Sequence, residues 1–333
     1  MRIASVTALT IAVVAMACST AHAQPTASRS APSRMGEGNI EFVVGAGAGG
    51  ENDRIARAIG RALVNARLVD SVTVLNRPGA AQTIAINTLA GRTGDPRSVG
   101  LASGSFVNAI ARSGSTLHKN VTPIMKLFDA YQCYFAKAGS AIRSMHDVRD
   151  RLRADPRTLT FAFPVGHGSP LHVSAVNVGK AAGVLPSQVI TVVYNSGADV
   201  SAQIAGGHVD VGITSLGSAM PMIEGGNLAM LGIAAPARME GDLARYPTLR
   251  EQGLDVVTAN SYTVLVPNGL SPEQIKFWTD ALDTVLLDPE FKIELERNYW
   301  LPQPIRYPAT IKWLQDDYDE NRAILKELGL ITG

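Results

Sequence analysis

The chain has 333 residues, of which 46% are hydrophobic and 18% are charged, and its formal net charge is +1. No block of like charge occurs, so the sequence lacks the run of basic residues that would indicate binding to nucleic acid or to an anionic membrane. The length suffices for two domains with cores of their own. A small molecule is therefore the expected partner.

The first residues have the organisation of a secretory signal peptide. Arg2 gives a basic start, residues 3–18 are mostly apolar, and Ala21-His22-Ala23 ends the segment in an A-x-A pattern. The apolar stretch is shorter than the roughly 20 residues of a membrane-spanning helix. We expect cleavage after Ala23 and export to the periplasm. Lipid attachment at Cys18 is the alternative, but the three residues before it include no large aliphatic side chain.

Export leaves the chain without a disulfide. Of the two cysteines, Cys18 is removed with residues 1–23, so Cys133 has no partner within the chain. A flexible spacer rich in Pro, Ser, Ala and Arg, residues 24–38, precedes the folded part. Stability must therefore come from the hydrophobic core.

Apolar runs alternate with helix-period segments from residue 39 onward. In the first helical segment Ile55, Ile59 and Leu63 share one face, whereas Arg57 and Arg61 lie on the other. Such alternation predicts an α/β architecture with a mostly parallel sheet. The first unit contains predicted strands at 40–44, 72–75 and 98–102 and predicted helices at 54–64 and 82–90.

The same alternation begins again in a second unit. Ser144 and Asp147 have the spacing of a helix-capping motif, and Gly183 is expected to end a helix. The predicted helices are 144–154, 170–182 and 200–205, and the predicted strands are 159–163, 190–193 and 209–214.

The last part of the chain contains one predicted strand and three predicted helices. Ser271 and Asp288 each precede a proline and an acidic residue, the pattern of a capped helix start. We expect the strand at 262–266 and a last helix at 308–328.

A glycine-rich turn follows the first strand. Gly45, Gly47 and Gly50 match G-x-G-x-x-G, the dinucleotide-binding pattern. A dinucleotide-binding site would require an acidic residue at the end of the second strand, but Asn76-Arg77 stands there. An arginine at this place would suit the 2′-phosphate of a dinucleotide. An exported protein also meets little nicotinamide cofactor, so we expect no cofactor. The turn is better suited to general anion recognition by backbone N–H groups and a helix N-terminus, with a simple packing turn as the alternative.

Four further turns place glycines or hydroxyl groups between a strand end and a helix start. They are Ser103-Gly104-Ser105, the segment 164–170, Asn195-Ser196-Gly197 and the segment 214–218. In open α/β sheets, ligands bind beyond the carboxyl ends of the strands. Turns from two units therefore predict one cleft with two lips.

The hypotheses of an enzyme and of a metal site have less support than that of a ligand cleft. His167 and His172 are five residues apart, which does not match a helical zinc pair, and no cysteine accompanies them. No G-x-S-x-G occurs, and Ser169 beside His167 is more simply a helix cap than a nucleophile. The acidic run 316–320 is interpreted as a solvated helix face. We therefore expect neither catalysis nor a metal.

From residue 40 to the C-terminus, the order of these segments resembles the substrate-binding proteins of tripartite tricarboxylate transporters, the Bug family of periplasmic solute receptors. The most specific pieces are Asn76-Arg77-Pro78-Gly79-Ala80, the segment Gly166–Ser169 with His172, and the segment Gly206–Val211. The resemblance implies a type II periplasmic-binding-protein fold, in which two α/β domains are hinged around a ligand cleft. Its implied boundaries are residues 39–137 with 260–333 for the first domain and 138–259 for the second.

The resemblance also implies a function without catalysis. Members of the family bind small carboxylates and deliver them to membrane permease subunits, and some serve a sensor kinase instead. We expect a monomer that binds an organic acid, amino acid or aromatic acid. An exported enzyme using the same cleft and a sensor without transport remain open alternatives.

Backbone N–H groups of the glycines and Ala80, and side chains of serines and asparagines, are expected to hold the ligand. Asp53 either fixes the first loop or contacts the ligand. The first lip is predicted to comprise Gly49, Gly50, Asn52, Asp53, Ala80 and Ser103, and the second Gly168, Ser169, Asn195, Ser196 and Ser215.

The chain departs from the family pattern in two loops. Gly45-Ala46 replaces Pro-Phe, Asn52 replaces a threonine, and Ala81-Gln82-Thr83 stands where the family usually continues with glycine and asparagine. Glu51 occupies a variable position. If it points into the cleft, it is expected to repel a carboxylate and to favour an amine or amide.

Overall fold

A ten-stranded sheet runs through the protein, and one long strand joins its two halves. The computed structural model describes residues 38–164 and 166–331. The predicted signal peptide and most of the predicted spacer therefore lie outside the described residues. The strands are β1 (Asn39–Val44), β2 (Ser71–Asn76), β3 (Ser98–Ser103), β4 (Val121–Lys137), β5 (Thr160–Pro164), β6 (Ile190–Tyr194), β7 (Val211–Ser215), β8 (Leu228–Ile233), β9 (Ala259–Pro267) and β10 (Leu301–Arg306).

The α-helices mostly follow strands, as the alternating pattern predicts. They are α1 (Glu51–Asn65), α2 (Thr83–Ala90), α3 (Gly104–Ser113), α4 (Met145–Ala154), α5 (Pro170–Ala181), α6 (Gly197–Gly206), α7 (Leu216–Glu224), α8 (Pro272–Leu287), α9 (Pro289–Arg297) and α10 (Ala309–Glu327).

The strand β4 belongs to both halves of the sheet. Its first part pairs with β9 and β10, and its last part pairs with β7 and β8. The first half has the order β2-β1-β3-β9-β4, and the second has the order β4-β7-β5-β6. The pairs β1/β2, β1/β3, β5/β6 and β5/β7 are parallel. A mostly parallel sheet was expected, but the pairings of β4 and the pairing of β3 with β9 are antiparallel, so the described sheet is mixed.

Helix α1 shows how the apolar pattern sets the packing. Ile55, Ile59 and Leu63 have no exposed surface and belong to one core cluster with Trp278 and Leu282 of α8. Removing such side chains from water is worth about 1.5–3 kcal/mol each. The helix begins at Glu51, three residues before the predicted start, directly after Gly50, which is extended at the N-cap.

The predicted helix caps are present. The Ser144 side chain accepts the N–H of Asp147, and the Asp288 side chain accepts the N–H of Phe291. Ser271 and Gln274 form a reciprocal capping box at the start of α8. Each such cap is worth about 1 kcal/mol, so these local signals define the helix starts.

Each half of the sheet is covered by helices that bury their apolar faces. In the first half, α1 and α8 pack on one face, and α3 and α10 contribute to a separate cluster around Phe106. In the second half, one cluster surrounds Phe161 and another contains Phe135. Among the described residues, none of the helices combines the length and apolar character needed to cross a membrane.

Candidate functional site

A cavity of about 680 Å³ with many polar residues in its lining lies where strand ends meet helix starts. The ends of β1, β3, β5, β6 and β7 and the first turns of α1, α3, α5, α6 and α7 all contribute to its wall. The strands β4 and β9 and the turn before α2 supply the remaining part, namely Ala130, Gln132, Asn260, Tyr262 and Gln82. The cavity is thus at the position where ligands bind in open α/β sheets.

Most of the residues predicted to bind ligand line this cavity. They come from both halves of the sheet: Gly50, Asn52, Ser103, Ser169, Asn195, Ser196 and Ser215. Four other predicted residues, Gly49, Asp53, Ala80 and Gly168, are not part of the described lining.

Asp53 holds the glycine-rich loop. Its carboxylate accepts the backbone N–H of Gly49 at 2.9 Å and a side-chain N–H of Asn76 at 2.9 Å. Arg57, one turn later, donates two hydrogen bonds to the same carboxylate. The Arg57 guanidinium is the main cause that lowers the pKa of Asp53 to about 2, with Gly49 and Asn76 adding to it and burial opposing it. Of the two roles considered for Asp53, these contacts are those of a residue that fixes the loop.

The backbone N–H groups of the three predicted glycines donate within the protein. Gly49 donates to Asp53, Gly50 donates to the carbonyl of Gly47, and Gly168 donates to Nδ1 of His172. The loops are held by these bonds, and the expected role of these N–H groups as donors to the ligand stays a prediction. Helix starts and side chains are further donors at the cavity wall.

Ala80 lies in an unusual turn outside the cavity. Ala80, Ala81 and Gln82 have φ values of 45°, 46° and 75°, a left-handed conformation that costs a non-glycine residue roughly 1–2 kcal/mol. The turn directs the buried side chain of Gln82 to Ser103, whose backbone N–H donates to Gln82 Oε1 at 3.1 Å. Gln82 therefore lines the cavity where Ala80 was expected.

Two buried side chains in the lining carry an atom with no hydrogen-bond partner among the described residues. They are Nδ2 of Asn52 and Oε1 of Gln132, in residues that are 6% and 3% exposed. A buried polar atom without a partner costs about 1–3 kcal/mol. Both residues line the cavity.

The helix starts supply further donors. Helices α1, α3 and α7 begin without a side-chain cap among the described residues, although the N–H of Gly104 donates to Asn260. Uncapped first turns present backbone N–H groups and the positive end of the helix dipole. This arrangement suits an anionic group such as a carboxylate.

Glu51 is the one charged side chain among the described residues that line the cavity. It lies in the first turn of α1 next to the buried hydroxyl of Tyr262. Burial raises the pKa of Tyr262 well above its ordinary value, and the negative charge of Glu51 raises it further. Asn260 donates to the Tyr262 hydroxyl oxygen at 2.7 Å. Glu51 therefore faces a neutral, hydrogen-bonded tyrosine.

His167 and His172 pack against each other, with ring centroids 4.9 Å apart. Burial, followed by the neighbouring His167, lowers the pKa of His172 to about 4. The neutral ring accepts the N–H of Gly168, so His172 stabilises the loop that leads to Ser169. The Ser169 side chain in turn accepts the His172 backbone N–H as a helix cap.

The acidic run on α10 is not uniformly solvated, which corrects the interpretation from sequence. Asp316, Asp319 and Glu320 are exposed, whereas Asp317 is half-buried. Burial and then the charge of Glu320 raise the pKa of Asp317 to about 7. Within the described residues, no group of His, Cys, Asp or Glu side chains has an arrangement that could hold a metal ion.

Gln132, Thr214, Asn260 and Tyr262 were not predicted as site residues. Gln132 lies in β4, which belongs to both halves of the sheet, and Asn260 and Tyr262 lie in the neighbouring strand β9. The available sequence signal was a polar residue within an otherwise apolar run, as at Gln132.

Known proteins resemble this chain in sequence and in fold. A profile described as "Tripartite tricarboxylate transporter family receptor" matches residues 55–330. The periplasmic binding protein BugD has a structure that matches with a TM-score of 0.72 and 19% identity, over 89% of this chain and 99% of BugD.

Two similar structures contain carboxylates. MatC from Rhodopseudomonas palustris with bound malate matches with a TM-score of 0.68 and 18% identity, over 86% of this chain and 99% of MatC. A second R. palustris protein with adipate matches with a TM-score of 0.71 and 22% identity, over 87% and 97% of the two chains. These similarities confirm the expected type II periplasmic-binding-protein fold.

Proposed function

The chain belongs to the tripartite tricarboxylate transporter receptor family, and on that premise we propose that it is a periplasmic receptor for a small carboxylate-type ligand. It captures the ligand in the cavity between the two halves of the sheet and delivers it to membrane permease subunits. The predicted domains, residues 39–137 with 260–333 and residues 138–259, close around the ligand by hinge motion.

The observation that carries this proposal is the pair of unpartnered buried atoms in the cavity wall, Nδ2 of Asn52 and Oε1 of Gln132. Uncapped helix starts stand beside them and favour an anionic group. The malate and adipate bound to similar structures support a carboxylate as the ligand class. The signal-peptide pattern and the name of BugD support the periplasm.

Thermal unfolding with a panel of dicarboxylates, amino acids and aromatic acids tests the function. A ligand at 100 times its dissociation constant should add about 2.7 kcal/mol of stability. Native mass spectrometry of the protein purified from its source should show a retained small acid. If no carboxylate in the panel raises the melting temperature, the proposed ligand class is wrong.

The variant Asn52→Leu tests whether the ligand binds in the cavity. It removes an unpartnered buried donor, so the ligand-free protein should keep its stability while the ligand-induced shift is lost. Asn108→Leu is the matched control, because Asn108 is also buried and also carries an unpartnered atom, but it does not line the cavity. Equal loss of the ligand shift in both variants would contradict the assignment.

The enzyme alternative makes a different prediction. If Ser169 were a nucleophile, Ser169→Ala would abolish product formation from a bound ligand. We expect Ser169→Ala to retain binding and prolonged incubation of the native protein to leave the ligand unchanged, as measured by mass spectrometry. Turnover that depends on Ser169 would overturn the receptor function.

A further inference from the structure

The charge of Glu51 is not balanced by a cation in the cavity wall. The described lining contains no lysine, arginine or histidine. Arg54 follows on the same helix, but it is exposed and lies outside the described lining. A ligand that enters the cavity therefore meets a carboxylate whose neighbour in the wall is the neutral hydroxyl of Tyr262.

A second acceptor in the same cavity, Gln132 Oε1, has no donor among the described residues. This atom is buried. An acceptor of this kind is complemented by an N–H or O–H donor. Glu51 and Gln132 are both acceptors, so together they favour a ligand that donates hydrogen bonds.

The donors in the wall come from other groups. Asn52 Nδ2 is unpartnered, and the first turns of α1 and α7 have no side-chain cap among the described residues. These groups suit a carboxylate, whereas the acceptors suit an ammonium or amide group. The cavity thus contains complementary partners for a molecule that carries both kinds of group.

Building on the proposed function, we propose that Glu51 selects a ligand that carries a carboxylate and an ammonium group, such as an amino acid, over a diacid. An ammonium group gains a charge-assisted hydrogen bond from Glu51, a carboxamide gains a neutral donor bond, and a second carboxylate is repelled. The expected order of affinity is ammonium, then carboxamide, then carboxylate.

Matched compounds that differ only at one end test this order. We would titrate the protein calorimetrically with 6-aminohexanoate, adipamate and adipate, and with the shorter set 4-aminobutanoate, succinamate and succinate. The amino acid of a set should bind about tenfold or more tightly than its diacid, a difference that corresponds to about 1.4 kcal/mol. Tighter binding of the diacid would overturn the role of Glu51 and leave the receptor function standing. If no member of either set binds, the inference is overturned, and the receptor function is judged on the wider carboxylate panel.

The isosteric variant Glu51→Gln separates selectivity from structure. It should lower the affinity for the amino acid and raise the affinity for the diacid, each by about tenfold. Glu224→Gln, at an exposed position outside the cavity lining, is the control and should change neither affinity more than about twofold. If Glu51 only stabilised the first turn of α1, Glu51→Gln would change all three compounds of a set alike, which would overturn the inference.

Discussion

The carboxylate of Asp53 accepts the backbone N–H of Gly49 at 2.9 Å, and this bond ties the glycine-rich loop to the first turn of α1. The same carboxylate holds Arg57 and Asn76, so one side chain connects a loop, a helix and a strand end. The cavity wall at Gly50 and Asn52 depends on this connection, because both residues lie between Gly49 and Asp53.

We expect Asp53→Asn to lower the free energy of unfolding at pH 7 by about 2 kcal/mol, since hydrogen bonds to a charged group are lost. The pKa of Asp53 is about 2, below its ordinary value of 3.8, so its contribution is present above pH 3.8 and is lost as the pH falls toward 2. Urea unfolding at pH 7 and pH 2 should therefore show a difference from the native protein that shrinks in acid.

Asp316→Asn is the control for this change. Asp316 also pairs with a basic residue one turn away, Lys312, but both side chains are exposed. We expect a loss of about 0.5 kcal/mol or less. An equal loss in the two variants would show that Asp53 acts only as a surface ion pair.

His172 should make stability depend on pH. Because its folded pKa is about 4, the unfolded chain binds the additional proton between pH 6.5 and about 4. The contribution is complete above pH 6.5, and the free energy of unfolding should fall by about 3 kcal/mol across this window. His172→Asn keeps an acceptor for Gly168 but cannot titrate, so its urea-unfolding profile should be flatter. His146→Asn, at an exposed position on α4, should keep the native slope.

A glycine in the left-handed turn before α2 should stabilise the folded protein. Ala81 is exposed and has a φ of 46°, so Ala81→Gly removes backbone strain without loss of packing. We expect the free energy of unfolding to rise by about 1 kcal/mol. Ala323→Gly, at an exposed site inside α10, should instead lose about 1 kcal/mol. Thermal unfolding that showed the same sign for both variants would contradict the strain.

Cys133 should be inert in the folded protein. It is fully buried in β4, and burial raises the pKa of its thiol to about 12, which suppresses the reactive thiolate. In the chain cleaved after Ala23, a thiol reagent should label nothing at pH 7.5 and one thiol after unfolding in urea. Ser187→Cys, at an exposed position, should add a thiol that reacts at once. Rapid labelling of native Cys133 would show that β4 opens.

Local interactions explain which elements could be predicted. The apolar face of α1 and the caps at Ser271 and Asp288 depend on residues within one or two turns, so their pattern is visible in the sequence. The long strand β4 was not predicted, because it is buried almost throughout and shows no alternation. Its partners are also distant, since Asp129 accepts a hydrogen bond from Ser261, 132 residues away.

The sequence by itself determined the α/β alternation, the helix caps and the turns that surround the cavity, because these features arise between neighbours in the chain. Only the tertiary structure decided which groups in those turns face the cavity. The N–H groups of Gly49 and Gly168 are taken by Asp53 and His172, whereas Gln132 enters from a crossing strand. Such assignments depend on which donors already have partners, and those partners become adjacent only when the chain folds.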